Sequence, residues 1–518
     1  MKQHNNPPAS NTVYRVSLVI SILIAVWGIV SSKTFEAAAN ALMAFIKQNL
    51  SWLYLIAMLF FVVFAVGVAF SRYGNIRLGP DDSRPEHSTA SWFAMLFGAG
   101  MGIGLIFWGI SEPLSHFAAP PVGIEAGSAE AANFAMRASF MHWGFHPWAN
   151  YAIIGMGLAY FQFRKNKPGL ISSLFIPILG EERTRGPIGK AIDIFAVIAT
   201  IAGVATSLGQ GTLQINSGLN YLFGIPSNQI TWLVIIVLIA IVYIRTAITG
   251  VDKGIRLISD INLYLALALV AVAFLVGPTV NILNIFTSGM GQYMQNFLGD
   301  SLNIDPFGDN TWFNAWRIFY WAWWIAWAPF VGTFIARISK GRTVREFILG
   351  VIVAPSIASI IWFSVFGGMG LGVAEKLGLD TISQMVTAPE TALFQVFNLY
   401  PLGKILSIVT IILLCTFFIT SANSATFVLS MFSSGGDLDP SNRKKVIWGV
   451  VQAVVAFALL LSGGLSALQT ASVAAAFPFI FIMLLSCWSL VKAFREEKFP
   501  AKSGPEPSAL AQDAPTEE

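Results

Sequence analysis

Apolar runs long enough to cross a bilayer recur along this chain from Tyr14 to Phe494, and no other feature limits its fold so strongly. A helical crossing takes about 20 residues. By that measure the sequence predicts roughly twelve spans, with cores at 14–31, 51–71, 92–110, 136–161, 191–209, 230–247, 261–280, 314–337, 347–371, 402–419, 446–463 and 466–491. Hydrophobic residues are 55% of the 518 and charged residues 11%, so the class is an all-α polytopic membrane protein. One transmembrane domain is expected over 14–494, after an N-terminal tail at 1–13. The segment 495–518, rich in Pro, Ala and Glu, is expected to be a disordered tail.

Lys2 and Arg15 before the first run would suit a cleaved signal peptide, but further spans follow and the run is kept as a span. Both cysteines, Cys415 and Cys487, fall inside predicted spans, so no disulfide framework or redox chemistry is implied. The net charge of +4 is spread among loops, which excludes a nucleic-acid stripe. With the N-terminus inside, the inner connections take Arg72 to Arg84, Arg164 to Lys190, Lys253, Arg256, Lys340 to Arg345 and Arg443 to Lys445. Lys33, Lys47 and Lys376 remain outside, so both termini are predicted to be cytoplasmic. Glu112, Glu125, Glu130, Asp300, Asp305 and Asp309 are assigned to the outer side. The segment 281–300 reads as an amphipathic helix along that surface or as an ordinary loop helix.

Four segments carry chemistry. The run Trp321-Ala-Trp-Trp-Ile-Ala-Trp327, continued to Phe330, places four indoles within two helical turns. Trp324 falls near mid-depth, away from the interfacial belts that Trp normally occupies. Several ring faces on one cavity suit a permanent cation with no proton to donate, such as a quaternary ammonium. In His142 to Tyr151, Trp143, Trp148 and Tyr151 share a broad helical face that a kink at Pro147 would alter, and packing between helices is the alternative. His142 and His146, four apart without Cys or acidic neighbours, are a weak metal signal.

Gly98-Ala-Gly-Met-Gly-Ile-Gly104 in the third span predicts either close helix packing or an unwound segment whose backbone meets solute and ions. It does not fit a phosphate loop. In Phe417 to Ser424, the hydroxyls of Thr420 and Ser421 either bond back to their own helix or join those freed carbonyls in a hard-oxygen site suited to sodium.

Taken together, Gly100-Met-Gly-Ile-Gly104, Ser111-Glu-Pro113, His142-Trp143 with Trp148 and Tyr151, Trp321 to Phe330 followed by Ile335 to Arg342, and Thr420-Ser421 resemble the betaine/carnitine/choline transporter (BCCT) family from about residue 10 to residue 495. The resemblance implies leucine-transporter-type inverted five-helix repeats, here about 92–280 and 314–491, behind two extra N-terminal helices. It also implies homotrimers assembled with help from the amphipathic helix. Carried over, the substrate box is Trp143, Trp148, Tyr151 and Trp324, with Trp323, Trp327 and Phe330 along the access path and Gly100, Met101, Gly102 and Gly104 near a carboxylate. A sodium site would use Gly98 and Met101 through backbone oxygens, with Phe417, Thr420 and Ser421. A second sodium site would need two hydroxyls where this chain has Thr200 and Val204, so Thr200 is a weak candidate and one sodium is expected.

Proton-coupled choline carriers of the family tend to have an acid at the position of Gly104, and no Asp, Glu or relay is expected near the motif. The implied activity is therefore sodium-coupled uptake of a zwitterion such as glycine betaine, or a sulfonium, at the inner (plasma) membrane, with osmoprotection or nutrient uptake as its use. Proton-coupled or exchange transport of choline or carnitine is the alternative; a channel or a receptor for such ligands is the alternative of another class. No enzyme activity, cofactor or nucleic-acid partner is expected; membrane lipid is.

Overall fold

The computed structural model describes residues 11–100, 102–249 and 252–497, with the backbone alone for 97–100 and 252–256. Among the described residues no strand forms, and one isolated bridge joins Arg77 to Thr343. The principal helices in chain order are α1 (Thr12–Val30), α2 (Ser32–Phe70), α3 (Thr89–Gly100), α4 (Ile103–Ala118), α5 (Ala129–Trp143), α6 (Phe145–Ala159), α7 (Pro187–Phe223), α8 (Gln229–Thr249), α9 (Asp252–Val276), α10 (Thr279–Leu302), α11 (Arg317–Arg337), α12 (Val344–Leu377), α13 (Pro389–Phe397), α14 (Gly403–Phe432) and α15 (Asn442–Arg495).

Among the described residues, nine helical segments are long and apolar enough to cross a membrane. The difference from the twelve expected runs lies at three places. The run at 92–110 is divided into α3 and α4, of 12 and 16 residues. The run at 136–161 is divided at Gly144 into α5 and α6, of 15 residues each. The last two runs are joined in the 54 residues of α15, which kinks at Gly463 and Gly464; Gly464, at φ 57° and ψ −131°, has a backbone that residues with a side chain rarely adopt. A fourth difference is α2, whose 39 residues run through the connection expected between the first two spans and leave only Ser31 between α1 and α2. At 1.5 Å per residue it is about 58 Å long, well beyond the roughly 30 Å hydrocarbon core.

Burial orders the bundle. The window holding α11 is 89% buried, whereas those of α8 and α9 are 22% buried. A helix apolar on every side has to meet protein or lipid, so the Trp-rich α11 is the centre of the chain's bundle and α8 and α9, with most of their apolar surface uncovered, form its rim. The segment 281–300 is helical and lies within α10, which turns Ile282, Gly289, Tyr293 and Ser301 inward and leaves Leu283, Met294 and Leu298 exposed.

At the end expected to face the cytoplasm, the connections are tied by ion pairs. Glu497, just beyond α15, meets Arg164 and Lys165 at 2.7 Å each and accepts a hydrogen bond from Tyr160 at 2.7 Å. Arg164 reaches on to Asp81 at 2.7 Å. Nearby, Thr343 and Glu346 close a capping box at the start of α12, each side chain bonding the other's backbone N–H.

Candidate functional site

One cavity at the centre gathers most of the residues singled out from sequence. It is lined by Gly102, Ile103, Gly104 and Leu105 of the α3–α4 break, Trp143 of α5, Pro147, Trp148 and Tyr151 of α6, Ser207 of α7, Trp323, Trp324, Trp327 and Val331 of α11, Ser359 of α12 and Ser421 of α14. Its volume is about 40 Å³, room for roughly three waters at about 10–15 Å³ each, so the rings have to part for any larger solute.

Two interruptions of regular helix build this cavity. At the first, Gly102 is extended (φ −137°, ψ −165°) and α4 starts at Ile103. A Cβ on Gly104 would lie 2.8 Å from Cη2 of Trp323 and 2.9 Å from Cη2 of Trp143, so only glycine lets both indoles close on this backbone. An acid at this position would displace both rings.

At the second, the chain turns at Gly144, three residues before the expected kink at Pro147. The groups freed there find side chains. The Phe145 N–H donates to the Tyr293 hydroxyl of α10 at 3.0 Å, and the His142 carbonyl accepts from Trp324 Nε1 at 2.9 Å. Asn150 then donates to the Trp324 carbonyl at 2.8 Å, which ties α6 to α11. Each bond satisfies a polar group that would otherwise be costly in an apolar interior.

The ring geometry follows. Trp323 and Trp324 stack at 4.7 Å and 16°, and Trp143 meets Trp324 edge-on at 4.9 Å and 72°. Tyr151 stands edge-on to both Trp148, at 5.6 Å, and Trp324, at 6.4 Å. The indole nitrogens of Trp323 and Trp327 are buried without a hydrogen-bond partner, so what these indoles present to the cavity is ring surface.

Two of the aromatic residues singled out stand elsewhere. Phe330 packs edge-on against Trp327 at 5.4 Å, outside the lining. Of the four indoles in the run, Trp321 faces away and stacks on His146 at 4.7 Å and 20°. Gly98 and Gly100 belong to the end of α3, and Met101 lies outside the described residues. Ser421 reaches the cavity, but the Thr420 hydroxyl donates to its own helix, at Thr416 O (3.1 Å) and Phe417 O (3.2 Å), and Phe417 is buried outside the lining. Thr200 donates to Ala196 O at 2.8 Å, and Val204, one turn on, is a buried apolar residue. Ser207 and Ser359 line the cavity without having been expected.

The main correction concerns Glu112. It was assigned to the outer side, and no acid was expected near the motif; it is fully buried and bonded to the cavity wall. Its Oε1 lies 2.7 Å from His142 Nδ1 and 3.3 Å from His116 Nε2. Its Oε2 accepts from Trp143 Nε1 at 2.8 Å and from the Tyr320 hydroxyl at 2.5 Å. Four polar partners offset a desolvation cost of several kcal/mol. Glu112, His116 and His142 bring potential ligand atoms within 4.8 Å of one another. Yet two ligands of a tetrahedral zinc stand about 3.3 Å apart, so the 2.7 Å contact is the distance of a shared hydrogen. His142 thus pairs with Glu112, not with His146, whose ring bonds Ser301 at 3.1 Å. The available signal was Glu112 following an unbroken apolar stretch from Ile103 to Ile110, two turns beyond the glycine break.

A profile described as BCCT, betaine/carnitine/choline family transporter, matches residues 12–499. A "Probable glycine betaine transporter" of Desulfitobacterium hafniense (strain Y51) is 46% identical over 491 residues, covering 94% of this chain and 98% of the relative. The "Glycine betaine transporter OpuD" of Bacillus subtilis (strain 168) is 46% identical over 490 residues, 94% and 95% of the two chains. An "Ectoine/hydroxyectoine transporter" of Virgibacillus pantothenticus is 42% identical over 490 residues, 94% and 97%. With an all-helical bundle of membrane-crossing length around an aromatic cavity and a profile match over 12–499, this chain belongs to the BCCT family of multi-pass membrane transporters.

Proposed function

We propose that the protein takes up glycine betaine across the plasma membrane by sodium symport with alternating access. The observation that carries this reading is one cavity lined by five indoles and one phenol, Trp143, Trp148, Tyr151, Trp323, Trp324 and Trp327. A desolvated cation–π contact contributes about 2 kcal/mol, so three or four rings approach the roughly 8 kcal/mol of micromolar binding before ordering costs. Two of the relatives carry glycine betaine in their names. Ectoine, named for a third, belongs in the substrate panel.

Sodium is the coupling ion in this reading, held by hydroxyl and carbonyl oxygens of Ser421, Thr420, Phe417, Gly98 and Met101. Ser421 and Gly102 sharing one cavity supports it. With Val204 in place of a second hydroxyl, one sodium is cotransported per betaine. Homotrimers, cytoplasmic termini and a role in osmoprotection complete the proposal. A proton-coupled reading has one observation in its favour, the buried Glu112 beside the box.

Uptake of labelled betaine, choline, carnitine and ectoine into proteoliposomes under imposed sodium or proton gradients tests both. Sodium symport requires betaine accumulation driven by sodium alone, with charge moved per betaine near one. Accumulation driven only by a proton gradient would replace it with the second reading, and flux without accumulation would indicate a channel. Ser421→Ala is expected to raise the sodium concentration for half-maximal uptake several-fold more than Thr420→Ala, because only Ser421 lines the cavity.

A further inference from the structure

We propose that Glu112 is a positioning and specificity-determining residue for the cation in the aromatic box, acting through Trp143 by fixing a negative charge behind that indole. This rests on the quaternary-ammonium reading above and deepens it: a box with no acid in its lining gains its counter-charge one ring away.

The charge follows from the hydrogen bonds. An indole nitrogen can only donate, so the 2.8 Å contact from Trp143 Nε1 requires Glu112 Oε2 to be an acceptor; that oxygen also takes the Tyr320 hydroxyl at 2.5 Å. Oε1 faces His142 Nδ1 at 2.7 Å and His116 Nε2 at 3.3 Å. The second nitrogen of each ring, His142 Nε2 and His116 Nδ1, is buried with no partner. An imidazolium would aim an N–H from that nitrogen at no acceptor, so both rings are neutral donors and the carboxylate is the charged member. Arg317, on the adjoining turn of α11, makes no ion pair with Glu112: its Nη1 bonds the Asp300 carbonyl and the guanidinium lies 5.5 and 5.4 Å over Trp312 and Phe313, with Nε and Nη2 left without a hydrogen-bond partner. Asp300 is itself paired with Arg137 at 2.9 Å.

The same indole that donates to Glu112 reaches the cavity with its far edge against Gly104 and meets Trp324 at 4.9 Å. A cation is drawn to a ring by the ring's own negative face. An N–H pulled toward an anion makes that face more negative, and the anion's field reaches the cavity through a medium of low polarity. A neutral solute of the same shape gains neither effect. Glu112 therefore favours charge over shape.

The test compares two ligands in the full-length protein by tryptophan-fluorescence titration: glycine betaine, and its isostere 3,3-dimethylbutanoate, in which a quaternary carbon replaces the quaternary nitrogen. Glu112→Gln keeps the size and an acceptor for Trp143 but removes the charge. Betaine should bind about tenfold more weakly, a change of about 1.4 kcal/mol, while the isostere shifts much less, so the preference for betaine falls by a similar factor. An unchanged ratio, with both ligands weakened alike or neither weakened, overturns the proposal and leaves Glu112 a purely structural group. If the unmodified protein binds the isostere as well as betaine, the cation-box reading itself fails, and that outcome is distinct because it needs no variant. Should Glu112→Gln not fold, Tyr320→Phe keeps ring and carboxylate but removes one competing donor. Its betaine preference should equal or exceed that of the unmodified protein, and a fall would overturn the proposal.

Discussion

Two carboxylates organise this molecule, and they do so with opposite kinds of partner. Glu112, in the bundle, is met by two imidazoles, an indole and a phenol, all on its buried helices. Glu497, at the end of α15, is met by Arg164, Lys165 and Tyr160. Cations neutralise Glu497, so its field ends at its partners and what remains is a tie between the chain's C-terminal region and the connection after α6. Neutral donors satisfy the hydrogen-bonding capacity of Glu112 without cancelling its charge. A buried acid can thus be a fastener or a source of field, and its partners decide which.

The largest effect should come from taking away a ring of the box itself. Trp324→Ala loses a ring face of about 2 kcal/mol and the bond to the His142 carbonyl, about 1 kcal/mol, which together weaken betaine binding about a hundredfold; Trp324→Phe should retain part. Fluorescence titration of intact protein is the measurement, and unchanged affinity in the alanine variant would move the site elsewhere. Next is Trp143→Phe, which keeps a ring but cuts the N–H link to Glu112. It should cost about tenfold in betaine affinity, and a loss below twofold would mean that the carboxylate does not act through this indole.

Arg164→Ala sharpens the other side. It should lower the thermal midpoint by about 1–3 °C while betaine affinity stays within about twofold, as expected of a fastener. A large change in affinity would erase the distinction between the two carboxylates. The smallest effect concerns acid. Burial pushes the Glu497 pKa up, but hydrogen bonds from Arg164, Lys165 and Tyr160 outweigh it and hold the group at about 2, below the ordinary 4.5. A depressed carboxylate pKa contributes stability above the unfolded value that is lost as pH falls through the folded one. The midpoint of the unmodified protein should therefore decline between pH 4.5 and about 2, and Glu497→Gln should flatten that part of the profile. Equal slopes would show that the tie is not electrostatic.

What the sequence made legible was whatever a single window contains. The apolar runs, the indole run on α11 and the trio Trp143, Trp148 and Tyr151 are each local patterns, and the cavity brings those rings together. Glu112 was not legible, because its burial depends on residues 116, 142, 143 and 320, contributed by three helices. Counting loop charges assigns such an acid to water. The turn at Gly144 was expected at Pro147 for a similar reason: what stabilises the break three residues earlier is the Tyr293 hydroxyl, about 150 positions away in sequence. The extension of α2 to Ser32 was missed because Lys33 and Lys47 read as a loop, although a helix leaving the hydrocarbon can carry both.

Gly104 sets the rest position of two indoles by what it lacks. The far edges of Trp323 and Trp143 stand 2.8 and 2.9 Å from where a first side-chain carbon would be. The hydrogen of this glycine therefore works as a shim, and any thicker one tilts both rings at once. Every amino acid that a single mutation can place here is such a thicker shim. One substitution thus reshapes two walls of the cavity, at a residue that contributes no functional group of its own.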